Sequence, residues 1–127
     1  MLRTTSVALA ALLLPAAPAA MAAPPPGQSH TTYDIVVNNA GNKVRGTAGT
    51  SAFSGGTGIY IAQFPTTTTT CSYVASLARG IRHGGVDERP GFVTVVRSSA
   101  FANGVFVQTF GPNGKRRNRP FHLIVAC

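Results

Sequence analysis

The sequence predicts an all-β domain: an antiparallel β-sandwich or jelly-roll-like barrel of about seven strands, closed by one disulfide. Three observations carry this expectation. Apolar residues recur with period two, and no window sustains a 3.6-residue period. Short runs rich in β-branched and aromatic residues alternate with clusters of Gly, Pro, Asn and Thr. Two cysteines, Cys71 and Cys127, are placed to staple the chain. Half-buried antiparallel strands cover their apolar faces against one another, which leaves a sandwich or a barrel as the solutions.

In chain order, Tyr33–Val37 (YDIVV) is the first strand, and Asn38–Asn42 (NNAGN) is turn chemistry, since Asn and Gly tolerate positive φ. Lys43–Thr47 (KVRGT) reads as a short, edge-like strand. Ala48–Thr57 is rich in Gly, Ser and Thr and is expected to be irregular. Gly58–Phe64 (GIYIAQF) places Tyr60, Ala62 and Phe64 on one face and Ile59, Ile61 and Gln63 on the other. Pro65 and the run Thr66–Thr70 end it. That run reads as a solvated loop, with a linker or an O-glycosylation site as alternatives. Cys71–Leu77 (CSYVASL) alternates again, with Cys71, Tyr73, Ala75 and Leu77 together. Ala78–Pro90 is a long charged excursion. Gly91–Arg97 and Val105–Phe110 are strands, joined through an Asn103-Gly104 turn. Gly111-Pro112-Asn113-Gly114 is a second turn signal, and Phe121–Ala126 closes the chain with Phe121, Leu123 and Val125 on one face.

The N-terminus reads as an export signal. Met1-Leu2-Arg3 supplies a positive region, Val7–Leu14 an unbroken apolar core, and Ala20-Met21-Ala22 a small-x-small cleavage signature, with Ala17-Pro18-Ala19 as a second site. A membrane anchor is the alternative, but the apolar run is short for a span of ~20 residues, and Pro15 and Pro18 interrupt its second half. The expected organisation is a signal peptide over 1–22, a Pro-rich tether over 23–32 and a secreted, extracellular β domain over 33–127. Removal of residues 1–22 from the 127 leaves about 105, and loss of Arg3 takes the net charge from +8 to +7. A chain of that size buries roughly 65% of its unfolded surface, enough for one core that gains from a staple. In an oxidising compartment Cys71 and Cys127 are expected to pair, which is worth roughly 4 kcal/mol in the chain-entropy account. Two free thiols or an intermolecular bridge are the alternatives.

Composition also excludes. With 3 Asp+Glu in the chain, a carboxylate-rich calcium or magnesium cage is not expected. Two cysteines cannot form a four-cysteine zinc site, and His30, His83 and His122 have no metal-ligand spacing, so no metal and no cofactor are expected. There is no Gly-x-Ser-x-Gly elbow and no phosphate-binding Gly-x-x-x-x-Gly-Lys-Ser/Thr. The Gly-rich stretch 46–51 precedes no helical pattern that could offer an anion-binding N-terminus.

Four pieces of the sequence share a pattern: Gly58-x-Tyr60-x-x-x-Phe64, Cys71-x-Tyr73-x-Ala75, Asn103–Thr109 and Arg119–Cys127. Together they resemble small β domains of unknown function in secreted actinobacterial proteins, and the C-terminal heads of collagen-like or tail-fibre-like bacterial proteins. The resemblance spans roughly 70 residues. It implies an all-β fold and a Cys–Cys staple, and no catalytic residues. The chain departs from the fibre-like members in having no Gly-x-y collagen tract.

The clearest charged feature is the run 115–119, in which Lys115, Arg116, Arg117 and Arg119 would attract an anionic polymer or a cell-envelope surface. The competing interpretation is a solvated hairpin tip. No aromatic interleaves with the run, so base stacking, and with it a specific nucleic-acid partner, is not expected. Arg79, Arg82, Arg89 and Arg97 extend the patch only if the fold gathers them. Glu88, Arg89 and His122 form the sharper alternative: a base, a phosphate-stabilising cation and an acid, as in a small secreted ribonuclease. Against it, Asp87-Glu88-Arg89 also reads as a polar turn before Pro90, and His122 as a strand residue with one hydrogen bond. The aromatics Tyr60, Phe64, Phe92, Phe106, Phe110 and Phe121 sit at strand spacing, as core or as an oligomer surface. The leading expectation is therefore a secreted, non-catalytic binding or structural surface module, monomeric or homotrimeric. A ribonuclease-like hydrolase and a homotrimeric jelly-roll head with aromatic interfaces are the alternatives.

Overall fold

A computed structural model describes residues 30–78 and 90–127. Eight strands form two four-stranded antiparallel sheets: β1 (Thr32–Val37), β2 (Lys43–Gly46), β3 (Ser51–Gly56), β4 (Ile59–Gln63), β5 (Ser72–Leu77), β6 (Phe92–Arg97), β7 (Gly104–Phe110) and β8 (Phe121–Ala126). The first sheet has the order β2-β1-β8-β5 and the second β3-β4-β7-β6. Of the two arrangements open to the sequence, the sandwich is the one found. Followed around it, β8, β5, β6 and β7 take the 4-1-2-3 order of a Greek key, because β6 lies against β5 at the sandwich edge and β8 returns beside β5.

Period two holds where it was strongest. Tyr60 and Ala62 of β4, Val105 and Val107 of β7, Ile35 and Val37 of β1, and Phe121, Leu123 and Val125 of β8 are buried between the sheets, together with Phe64. The Tyr60 and Phe121 rings meet across the interface with centroids 5.2 Å apart. Tyr33 meets Phe64 edge-on at 6.1 Å. The edge strands β5 and β6 bury only one face, so Tyr73, Ala75, Leu77, Val93 and Val95 pack against this core while their neighbours face outward.

Two expectations need correction. Ala48–Thr57 is not irregular: Ser51–Gly56 within it is β3, paired with β4 from Ser51 opposite Gln63 to Gly56 opposite Ile59, with a register shift between Ser54 and Gly56. Its Ser and Gly content gives no strand propensity. The strand exists because β4 offers it an unpaired edge, and it remains exposed along most of its length. The threonine loop is not wholly solvated either, since Thr68 is fully buried. Its N–H donates to the Ala102 carbonyl at 3.0 Å, and its hydroxyl donates to the Gly104 carbonyl at 3.2 Å. Its own carbonyl accepts from the Cys71 N–H at 3.1 Å and from the Tyr73 hydroxyl. Thr68 thus plugs the end of the sandwich where the chain crosses from β4 to β5. At the N-terminal side, β1 begins at Thr32, one residue into the expected tether, and the Thr31 carbonyl accepts from the Cys127 N–H at 2.9 Å.

Cys71 and Cys127 are bonded. Because Ser72 faces Ala126 in the β5–β8 register, the bridge joins the next opposed pair and clamps the end of the ladder. Replacing both cysteines with Ser is expected to lower stability by about 2–4 kcal/mol, since the link closes a long loop in the unfolded chain. Denaturant unfolding of oxidised protein and variant checks it. Thr68→Val is expected to cost only about 1 kcal/mol, because the carbonyls that its hydroxyl approaches also accept the Thr68 N–H (Ala102) and the Ser98 N–H (Gly104). A loss of several kcal/mol in the same titration would show that the hydroxyl does more than the geometry assigns to it.

Candidate functional site

The basic run lies in the crossing from β7 to β8, and its backbone is tied down along its length. Gly111 N–H donates to the Lys115 carbonyl at 2.9 Å, Gly114 N–H to the Gly111 carbonyl at 3.1 Å, and Lys115 N–H to the Asn113 side-chain oxygen at 3.1 Å. Arg116 then pairs antiparallel with Phe110 in an isolated bridge. Arg117 N–H donates to the Thr109 carbonyl at 3.0 Å, while the Thr109 hydroxyl donates to the Arg117 carbonyl at 2.6 Å. Gly58 N–H donates to the Asn118 side-chain oxygen at 2.7 Å, and Arg119 N–H to the Tyr60 hydroxyl at 3.1 Å.

Gly58 is a steric condition for this arrangement. Its φ is +65°, and a side chain there would start 2.5 Å from the Thr109 carbonyl oxygen and 2.8 Å from the Arg117 nitrogen. Only a residue without Cβ admits the loop so close to the β3–β4 turn. Gly58, Asn118 and Thr109 position the loop, a role that the sequence pattern did not assign to them. The one available signal was a Gly at the border of a strand and an Asn inside a charge run, which is ordinary turn composition.

The four cations do not share one role. Lys115, Arg116 and Arg117 are exposed. Arg119 is half-buried, and its guanidinium donates to the Pro90 carbonyl at 3.0 Å, where the chain re-enters the described structure. Next to it, Ala78 N–H donates to the Pro120 carbonyl at 3.2 Å. Arg97 does not extend the patch. It ends β6 opposite Val105, whereas the loop follows Phe110 at the other end of β7, about 17 Å away at strand rise. Arg79, Arg82 and Arg89 lie outside the described residues. Lys43 is committed elsewhere, donating to the Thr47 and Thr50 carbonyls at 2.8 and 3.1 Å.

His122 stands where the alternation put it, on the outer face of the first sheet with Ile124, opposite Val36 on β1 and Ser76 on β5. Glu88 and Arg89 lie outside the described residues, so of that candidate triad only His122 is among the residues described. Among the described residues no group of three His, Cys, Asp or Glu comes together. The candidate aromatics divide. Tyr60, Phe64 and Phe121 are core, whereas Phe92, Phe106 and Phe110 point away from it on the outer face of the second sheet.

Tyr60 couples the core to the loop. Its ring is fully buried, and its hydroxyl donates to the Asn39 carbonyl at 3.1 Å while accepting from Arg119 N–H. Burial raises its pKa above the usual 10.0, against the lowering effect of the Thr109 hydroxyl and the Arg119 N–H. No family model, curated protein or solved structure matches the chain.

The folded state therefore holds the Tyr60 proton more tightly than the unfolded state does. The associated stability is complete below pH 10 and is lost as pH rises from 10 through the folded pKa. Tyr60→Phe is expected to cost about 1–2 kcal/mol at neutral pH, to flatten that alkaline loss, and to speed hydrogen exchange at the Arg119 amide. Unfolding titrations from pH 8 to pH 11 and amide exchange test all three effects.

Proposed function

We propose that this is a secreted, non-catalytic β-sandwich binding module that holds an anionic polymer on the cationic loop following β7. The observation that carries it is a backbone fixed by hydrogen bonds from Gly111 to Arg119 beneath three exposed cations, Lys115, Arg116 and Arg117. A hairpin tip whose task is only to stay solvated has no need of an ordered scaffold. A loop that meets a polyanion does gain from one, because less conformational entropy is lost on contact. The charge balance favours the same partner: the chain has 11 Lys+Arg against 3 Asp+Glu, so its field attracts polyanions and repels polycations. The Cys71–Cys127 bridge suits an oxidising, extracellular setting.

Heparin serves as a sulfated probe and polyphosphate as a phosphorylated one. Replacing Lys115, Arg116 and Arg117 with Ser is expected to weaken binding to both and to reduce the slope of log K against log salt by about 2–3, one counterion or slightly less per lost cation. Arg119→Gln is expected to change the slope less than Arg117→Gln, because its guanidinium already serves the Pro90 carbonyl. Unchanged affinity and slope in the triple variant would remove the proposal.

A further inference from the structure

One row on the outer face of the second sheet is apolar across its full width. In register, Phe53 of β3 stands opposite Ile61 of β4, Ile61 opposite Phe106 of β7, and Phe106 opposite Val96 of β6. This makes one unbroken cross-strand row over all four strands. Phe92 faces Phe110 in a further row nearer the loop, separated from the first by Ile59, Gln108 and Thr94. Phe101 folds over from the β6–β7 turn to meet Phe53 edge-on at 6.0 Å. It occupies the space that a side chain on Gly104 would fill, with its Cβ 2.9 Å from that position. Phe92 is 58% exposed, Val96 56%, Phe53 41% and Phe101 37%. The largest apolar patch on a protein surface is often an interaction site.

We infer that this face packs against the same face of a second copy of the chain, giving a two-fold dimer with the two second sheets stacked face to face. The charge distribution selects this occupant. The protein carries a net +8, so most pairings of two copies bring like charges together. The positions that point outward from β3, β4, β7 and β6 in these rows are Ser51, Phe53, Ile59, Ile61, Gln63, Phe92, Thr94, Val96, Phe106, Gln108 and Phe110, and none of these is charged; Arg116, the bridge partner of Phe110, adds a cation to the same face at its loop end. Two copies centred on the Phe53–Ile61–Phe106–Val96 row therefore meet across uncharged side chains, with Arg116, two outward positions along beside Phe110, at the rim of the contact. The row is also suited to a two-fold axis that runs parallel to the strands between Ile61 and Phe106, which sets Ile61 against Phe106 and Phe53 against Val96 of the second copy. At ordinary strand spacing and rise the face measures about 19 by 20 Å. Two such faces with their side chains bury on the order of 1,000 Å² in total, the lower bound for a specific interface.

The test is the solution mass of the oxidised protein by sedimentation equilibrium over about 1–200 μM, a range set by the modest predicted area. Twice the chain mass is expected at the upper end. Phe106→Lys, at the centre of the row, is expected to give a monomer throughout. Val96→Lys on the edge strand is the second disruption, chosen because it displaces less apolar surface from a central strand. Both substitutions point away from the core, so unchanged thermal unfolding of the monomeric variants is the control on folding. The Lys115, Arg116 and Arg117 to Ser variant is expected to stay dimeric, which separates this face from the polyanion loop. A monomer at every concentration, a trimer, or a dimer indifferent to both Lys substitutions would overturn the inference. So would a monomer that instead partitions onto neutral lipid vesicles, which would assign the face to a membrane.

Discussion

The side chain of Tyr60 is the constraint on which the rest of this sandwich leans. Its ring packs on Phe121 and so joins the central strands β4 and β8 of the two sheets. Its hydroxyl reaches the rim and binds the β1–β2 turn at Asn39 and the β7–β8 crossing at Arg119. An aromatic with a polar tip is suited to this place, because the ring fills a dry interior while the hydroxyl satisfies backbone groups that would otherwise lack partners. The cationic loop is ordered partly because a core residue ends beneath it. Changes to the core at this point therefore propagate to the surface that carries the charge.

The opposite pole is secured differently. There the disulfide, the buried Thr68 and the Thr31–Cys127 hydrogen bond hold the crossing between β4 and β5 and the two ends of the described β domain. One pole is thus closed by a covalent link and a buried hydroxyl, and the other carries the exposed Lys115, Arg116 and Arg117. Between them the outer faces of the two sheets differ in character. The first bears Asp34, Arg45 and His122 among Val74 and Ile124, and the second presents the apolar Phe53–Ile61–Phe106–Val96 row at its centre, with Arg116 beside Phe110 at its loop end. With three exposed cations gathered in the loop, the centre of the second sheet is left for contacts that a uniformly cationic surface would oppose.

Strands with strong alternation were legible in the chain itself. Phe121–Ala126 appears with the expected bounds, and the faces expected for Tyr60, Ala62, Phe121, Leu123 and Val125 are the buried ones. The misses share a cause. β3 has no local preference for its conformation and takes it from β4. Thr68 is chemically identical to its four neighbours in the run and is distinguished only by the carbonyls that meet it. Arg119 belongs by sequence to a block of cations, yet it is drawn away by the Pro90 carbonyl, 29 positions distant. In each case the deciding partner comes from a non-neighbouring segment or a facing strand.

The sequence by itself determined the fold class, the pairing partners for one disulfide, and the existence of a basic segment, because periodicity, cysteine count and local charge are properties of adjacent residues. Only the tertiary structure decided which aromatics are core and which are surface. Tyr60 and Phe106 lie in equally convincing alternating strands, and period two marks two faces without saying which one is covered. The second sheet meets the first through one face only, so the Phe53–Ile61–Phe106–Val96 row remains outside. That choice depends on how the two sheets stack, a long-range outcome that no window of the chain contains.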